Sequence, residues 1–153
     1  MAFVFRLERV LVVRCLQEDA AQQRHAAALE ELREAERRLG ELRTGLVATL
    51  DALDDVKRRD ELTVEALHLH SLHVAGLRRA IHVARVDVQH GSAKAEQTGK
   101  ELLEAHRARE ALEKLREREL EGWQKAQVQR ERKQLDEIAV SRHRFREEEN
   151  HGP

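Results

Sequence analysis

Two adjacent carboxylates, Asp136 and Glu137, lie between Leu135 and Ile138 in the stretch RKQLDEIAVSR. Two carboxyl groups can act as general acid and general base when both reach the same substrate. Neighbouring side chains on a helix point about 100° apart, so these two cannot share one substrate. The pair therefore does not predict a catalytic site.

Three histidines, His68, His70 and His73, are crowded into the stretch LHLHSLH. On a helix, His70 and His73 share a face, but a metal site needs a third ligand and usually a supporting carboxylate. No further ligand at a suitable spacing is present. We therefore interpret the three histidines as residues that border a helical seam, and we predict neither a metal nor a cofactor.

The remaining candidates for chemistry are isolated residues. Cys15 is the single cysteine, which excludes an internal disulfide and is typical of a reducing compartment. It has no neighbouring base that would activate it as a nucleophile. The sequence contains neither a glycine-rich phosphate loop nor a nucleophile-elbow motif. The single tryptophan, Trp123, is predicted to be a seam residue or an anchor for a partner. We expect no enzymatic activity.

The composition is typical of long helices. Of the 153 residues, 37% are charged and only 3% are aromatic, and the single proline is the last residue. Chains rich in Ala, Glu, Leu and Arg form long helices and coiled coils. Basic and acidic residues number 28 and 29, so the sustained basic excess of a nucleic-acid-binding arm is absent. Charged residues also interrupt the apolar N-terminus, so we expect a soluble, cytoplasmic chain without a transmembrane segment.

A heptad pattern indicates a coiled coil. Every seventh residue from Val4 belongs to one series of seam positions, and a second series lies three residues after the first. Between Ala28 and Val56 nearly all of these positions are apolar. An apolar stripe this narrow must be covered by a partner helix. The first series is Val4, Leu11, Glu18, His25, Leu32, Leu39, Leu46 and Leu53, and the second is Leu7, Arg14, Ala21, Ala28, Ala35, Leu42, Thr49 and Val56.

The position of the bend between two helices has two candidates. The seam turns polar near Asp60 and Thr63, either of which could begin a second helix as its N-cap. Gly91 and Ser92 are the rival breakers. Beyond Gly99 the seam weakens, although Leu135, Ile138 and Phe145 keep spacings of three and seven and are interpreted as its last members.

Four stretches resemble the FliJ family of the bacterial flagellar type III export apparatus. They are FVFRLERVLVVR at the N-terminus, LHVAGLRRAI, LLEAHRAREALEKLREREL, and ERKQLDEIAVSR near the C-terminus. The resemblance covers about residues 3 to 145. It implies an all-α fold, a long antiparallel two-helix coiled-coil hairpin forming a single rod over residues 1–153. The implied bounds are about 4–59 for helix one, 60–64 for the bend, 65–145 for helix two and 146–153 for a frayed tail.

The resemblance also implies a function. Family members are similar to the shaft subunit of rotary ATP synthases and act as the central stalk of the export ATPase hexamer. They also contact the cytoplasmic domain of the export gate and export chaperones. A monomeric cytoplasmic protein, peripherally associated with the inner membrane at the flagellar base, is therefore expected.

The expected contact residues lie at two places. Contacts with the ATPase ring are expected at the paired ends of the hairpin, and contacts with the export gate at the start of helix two. The ring set is Arg6, Leu7, Val10, Leu11, Leu135, Asp136, Glu137 and Ile138, and the gate set is Leu77, Ala80 and Ile81. Two alternatives stay open: the stalk of a virulence-type secretion system, and a self-associating structural coiled coil without an ATPase partner.

Overall fold

The fold consists of two long helices joined by a short turn. The structure is a computed structural model that describes residues 2–149, apart from the side chains of Phe145 and residues 147–149. Helix α1 spans Glu8–Arg58 and helix α2 spans Val64–Glu149. No strand occurs within residues 2–149. The predicted all-α, antiparallel two-helix coiled-coil hairpin is confirmed.

The turn lies at residues 59–63 and has a cap on each side. Asp60 has a φ of 54°, and the amides of Asp60 and Glu61 donate to the carbonyls of Lys57 and Val56, which is the Schellman ending of a helix. Thr63 begins α2, because its side-chain oxygen accepts a hydrogen bond of 3.1 Å from the Ala66 amide. Thr63 is therefore the N-cap, and Asp60 terminates α1.

The rival breaker, Gly91, lies inside α2. A Cβ atom at this position would lie 3.4 Å from both Cα and Cδ1 of Leu32 on the facing helix. Gly91 therefore allows a close approach between the two helices and does not end one of them.

Both helices have bounds that differ from the expected ones. Residues 2–5 are not helical, and α1 begins at Glu8, whose amide donates to the Phe5 carbonyl. Helix α2 continues to Glu149, beyond the end expected at residue 145, and the fraying of the tail stays a prediction. Residues 150–153 of the predicted tail lie outside the described residues.

The helix pair divides into two compact units, Gln17–His106 and a unit made of Met1–Leu16 with Arg107–Pro153. In the unit Gln17–His106, the core follows the heptad seam. Leu39, Ile81 and Ala84 are buried together, and Leu42, Leu46 and Val88 pack around them. Burial of a large aliphatic side chain stabilises the folded state by about 1.5–3 kcal/mol. Many buried seam residues are small, namely Ala21, Ala28, Ala84 and Ala95.

Polar contacts within the same unit set the antiparallel register. His25 Nδ1 lies 3.0 Å from the Thr98 hydroxyl, Lys94 pairs with Glu31 at 2.6 Å, and His106 Nδ1 lies 2.8 Å from Glu18. As the residue number rises along α1, its partner's number falls along α2. A shift of one heptad would separate all three pairs, so they favour this register over others.

Candidate partner-binding surface

The unit of Met1–Leu16 with Arg107–Pro153 contains the start of α1 and the last part of α2. Phe5 and Leu11 are buried in this unit, where α1 lies alongside α2. Glu8 pairs with Arg116 at 3.3 Å. Further toward the N-terminus, the rings of Phe3 and Trp123 lie 6.2 Å apart between centroids, with an interplanar angle of 57°. Trp123 is half-buried, and its ring lies against the non-helical segment that precedes α1.

Helix α2 continues well beyond the level of Phe3. Every residue from 131 to 144 is exposed. Leu135 follows Trp123 by twelve residues, which corresponds to about 18 Å along the helix. Because every one of these residues is exposed, no described part of the chain covers this segment. We call residues 131–144 the single-helix end.

The apolar residues of the single-helix end are exposed to solvent. Leu135, Ile138 and Val140 are 66%, 52% and 53% exposed. Leu135 and Ile138 were interpreted as the last members of the seam, but no seam is closed over them within this chain. The spacing predicts that they share a helix side, which is correct. No described part of the chain covers that side, and the prediction that another protein completes the weaker seam beyond Gly99 stays a prediction.

The two halves of the predicted ring-contact set are not brought together. The pair formed by Glu8 and Arg116 brings the start of α1 to the level of residue 116, about 28 Å before Leu135 along α2. Leu11 is only 6% exposed and packs between the helices, and Leu7 is half-buried. Arg6 and Val10 are exposed and accessible to a partner.

The carboxylates of Asp136 and Glu137 are exposed at the single-helix end. The carbonyl of Glu137 accepts a hydrogen bond of 2.8 Å from the Ser141 hydroxyl, one turn further along the helix. Within the single-helix end, four cations stand beside three carboxylates, which is a small positive excess. The cations are Arg132, Lys133, Arg142 and Arg144, and the carboxylates are Glu131, Asp136 and Glu137.

A second exposed apolar patch lies on α1 and was missed by the sequence analysis. Val12, Val13 and Leu16 are all at least half exposed. In the heptad that contains Leu11, they occupy the three positions that point away from the seam, where charged residues are usual. Inspection of these outward positions, in addition to the seam, would have identified the patch.

The predicted gate set lies in the unit Gln17–His106, on the inner side of α2. Ile81 is 6% exposed and belongs to the core, while Leu77 and Ala80 are half-buried. Ala80 lines a cleft of about 650 Å³ between α1 and α2, together with Ala84 and Leu42. The rim of this cleft is charged and is formed by Glu31, Glu34, Arg38, Asp87, His90 and Lys94.

The rim charges are held by a network on α1. Glu34 accepts hydrogen bonds from Arg37 at 2.7 Å and from Arg38 at 3.0 Å, and Arg37 also bonds Glu41. The hydrogen bonds from Arg37 and Arg38 lower the pKa of Glu34 from 4.5 to about 2. Glu34 therefore remains ionised at neutral and mildly acidic pH.

The other candidates for chemistry lie apart from a functional cluster. His68 and His73 are exposed, whereas His70 is half-buried at the edge of the seam. Cys15 is half-buried on α1. Within residues 2–149, no group of three or more His, Cys, Asp or Glu side chains is arranged to hold a metal ion.

Comparisons with known proteins give one match. The family model described as the flagellar FliJ protein matches residues 3–148. No curated protein and no solved structure matches the chain. Neither helix, over the described residues, has a segment that is both long and apolar enough to cross a membrane.

Proposed function

The chain belongs to the FliJ family of flagellar proteins, and from this premise we propose that it is the non-enzymatic central stalk of the flagellar type III export ATPase. The family match supports a role in flagellar export. One observation carries the more specific role, and it is the single-helix end, where apolar and cationic side chains are left uncovered by the rest of the hairpin.

The single-helix end has the properties of a contact surface. Leu135, Ile138 and Val140 expose aliphatic side chains to water, and their removal from water on binding would favour association. Net positive charge surrounds them. We expect the inner surface of the ATPase ring to offer apolar side chains and carboxylates at the same level.

The proposed mechanism rests on the asymmetry of a single helix inside a symmetric ring. Ile138 can face only one ring subunit at a time, while another subunit meets Arg142 or Asp136. The free energy of contact therefore differs between subunits and favours ATP binding or release at some of them. Stalk binding and nucleotide binding are coupled in both directions. Nucleotide binding to the ring must therefore also change the affinity of the ring for the stalk.

The start of α1 supplies a second proposed contact with the ring. Arg6 and Val10 from the predicted set are exposed, and the patch of Val12, Val13 and Leu16 continues the apolar surface. Leu11 is left out of this contact because it is buried between the helices. We propose that this patch meets the ring at a different level from the single-helix end.

Two further partners follow from the family. We propose that the cytoplasmic domain of the export gate contacts the cleft lined by Ala80, Ala84 and Leu42, where Leu77 and Ile81 support the wall from inside. Export chaperones are the third proposed partner. These partners would hold the protein on the cytoplasmic side of the inner membrane at the flagellar base.

The test is a titration of the cognate export ATPase with the full chain. We expect faster ATP hydrolysis and a larger hexameric fraction in sedimentation velocity. The double variant Leu135→Asp/Ile138→Asp should lose both effects. Leu103→Asp is the matched control, because Leu103 is an exposed leucine of α2 in the other unit and should leave both effects unchanged.

Two results would overturn the proposal. One is a wild-type chain that changes neither hydrolysis nor the hexameric fraction. The other is light scattering that gives a stable homo-oligomer dissociated by the Asp substitutions, because this would assign the exposed apolar residues to self-association.

A further inference from the structure

The outward side of α2 between His68 and Ala93 lacks carboxylates, although 37% of the chain is charged. In a heptad whose seam positions include Val74 and Ile81, three positions of every seven point away from α1. We call those positions within this stretch the outer face. Its residues are His68, Leu69, Leu72, Ala75, Gly76, Arg79, His82, Val83, Val86, Gln89, His90 and Ala93.

The apolar residues of the outer face are open to solvent. Leu69, Leu72 and Val83 are 66%, 54% and 59% exposed. The same heptad positions further along α2 show the usual surface composition, with Glu96, Lys100, Glu104 and Arg107. The apolar stretch therefore has a defined end. It adjoins the inner cleft, which Val83 and His90 also line, and it is separate from the single-helix end.

The charges of the outer face and its edges are almost entirely positive. Asp87 is the single carboxylate between residues 66 and 94. Within the described residues, Arg78, Arg79 and Arg85 form no ion pair, and the Arg79 Nε donates to the Ala75 carbonyl at 3.4 Å. These guanidinium groups therefore have their charge available for an external anion.

The centre of the outer face is open down to the backbone. A Cβ atom at Gly76 would meet no heavy atom within 4 Å. Ala75 precedes Gly76, so this turn of α2 carries no bulky side chain outward. A second helix could therefore approach α2 closely here, with Leu72 and Val83 packing on either side.

We infer that the outer face binds an amphipathic helix of a partner protein, apolar along one side and rich in Asp and Glu along its edges. Apolar burial on Leu69, Leu72 and Val83 would supply affinity, and the arginines would select acidic edges. A second copy of this face is a poor occupant, since a two-fold contact would set like charges against each other. The inference goes beyond the proposed stalk function and does not depend on it.

The probe for this inference is a labelled synthetic helical peptide with a Leu and Ala seam and Glu at the flanking positions. Its counterpart carries Lys in place of every Glu. Fluorescence anisotropy with the full chain should show saturable binding of the Glu peptide, at least about ten-fold tighter than that of the Lys peptide. A photo-crosslinking residue at Leu69, which does not line the cleft, should capture the Glu peptide.

Variants locate the binding. Leu72→Glu and Arg79→Glu should each weaken binding of the Glu peptide by about ten-fold, because each adds a carboxylate that opposes the peptide's edges. The control is Leu103→Glu, which changes an exposed leucine beyond the end of the outer face and should have little effect. Circular dichroism checks that all three variants keep their helices.

Several results would overturn the inference. They are equal binding of the two peptides, binding of neither, and a loss with Leu103→Glu as large as that with Leu72→Glu. Binding to phosphatidylglycerol vesicles without binding of the Glu peptide would assign the face to a lipid surface. A homodimer in sedimentation velocity that Leu72→Glu dissociates would assign it to a second copy of the chain.

Discussion

The ring of Phe3 lies against the ring of Trp123, with centroids 6.2 Å apart and planes inclined by 57°. This contact is the last one described between the start of the chain and α2. On one side of it α1 begins at Glu8, beside Arg116, and on the other side α2 continues into the exposed residues 131–144. The contact therefore lies shortly before the single-helix end.

Phe3→Ala should remove this contact and expose Trp123 to water. We expect the emission of Trp123, the single tryptophan, to shift to longer wavelength. The free energy of unfolding should fall by about 1–2 kcal/mol, through lost aromatic contact and lost apolar burial. Val4→Ala is the matched control, because Val4 is 82% exposed and should change neither quantity. Unchanged emission in Phe3→Ala would contradict the contact.

Asp60→Gly should stabilise the hairpin. Asp60 is the only non-glycine residue among the described residues with a positive φ, and its value of 54° is one that glycine adopts without a steric penalty. We expect the free energy of unfolding to rise by about 0.5–1 kcal/mol, measured by urea denaturation. Arg59→Gly is the control, and it should not stabilise, since Arg59 has no positive φ. Destabilisation by Asp60→Gly would show that the Asp60 side chain makes a larger contribution than its backbone strain.

Gly99→Ala and Gly40→Ala should differ, although both replace a helical glycine. Gly40 has no heavy atom within 4 Å of a Cβ atom, so the alanine should stabilise α1 by about 0.5–1 kcal/mol. At Gly99 the Cβ atom would lie 3.3 Å from the His25 ring, which must move and disturb its contact with Thr98. Thermal denaturation should give a smaller gain, or a loss, for Gly99→Ala. Equal gains at both positions would contradict the close packing of His25 on Gly99.

Glu34→Gln should change stability in a pH-dependent way. The pKa of Glu34 is lowered from 4.5 to about 2 in the folded protein by hydrogen bonds from Arg37 and Arg38. A lowered folded-state pKa means that the carboxylate stabilises the fold fully above about pH 4.5, and that this contribution is lost as the pH falls toward 2. The difference in melting temperature between wild type and Glu34→Gln should therefore be present at pH 7 and vanish near pH 2.

The size of the Glu34 effect should be small and should fall with added salt, because the network is exposed to solvent. Glu36→Gln is the control, since Glu36 is exposed and forms no ion pair within residues 2–149. A difference for Glu34→Gln that stays constant between pH 7 and pH 2 would contradict the proposed origin of its pKa.

The heptad pattern predicts most of the fold because a narrow apolar stripe has one physical solution, which is a facing helix. The positions of Leu39 and Ile81 in the core follow from that pattern. The choice between the two bends did not follow from glycine content, since Gly91 serves a close approach to Leu32 within α2. A glycine that ends a helix and a glycine that lets two helices approach closely cannot be told apart from the sequence alone.

The candidate partner-binding surface was less predictable from the sequence for a different physical reason. The spacing of Leu135 and Ile138 is the same whether their helix is covered or free. Their exposure depends on the point where α1 begins, beside Arg116, which is a property of helix length and register. Leu11 shows the opposite outcome. It was predicted to contact a partner, but the same helix register buries it between α1 and α2.

The most direct test of the stalk proposal is a site-specific crosslink to the export ATPase. A photo-crosslinking amino acid is placed at Ile138 of the full chain, and at Leu103 as the control, and each protein is irradiated with the cognate ATPase and a non-hydrolysable ATP analogue. The proposal predicts a strong adduct from Ile138, mapped by mass spectrometry to residues inside the ring, and no adduct from Leu103. An absent adduct from Ile138, or one mapped to the outer surface of the ring, would contradict it.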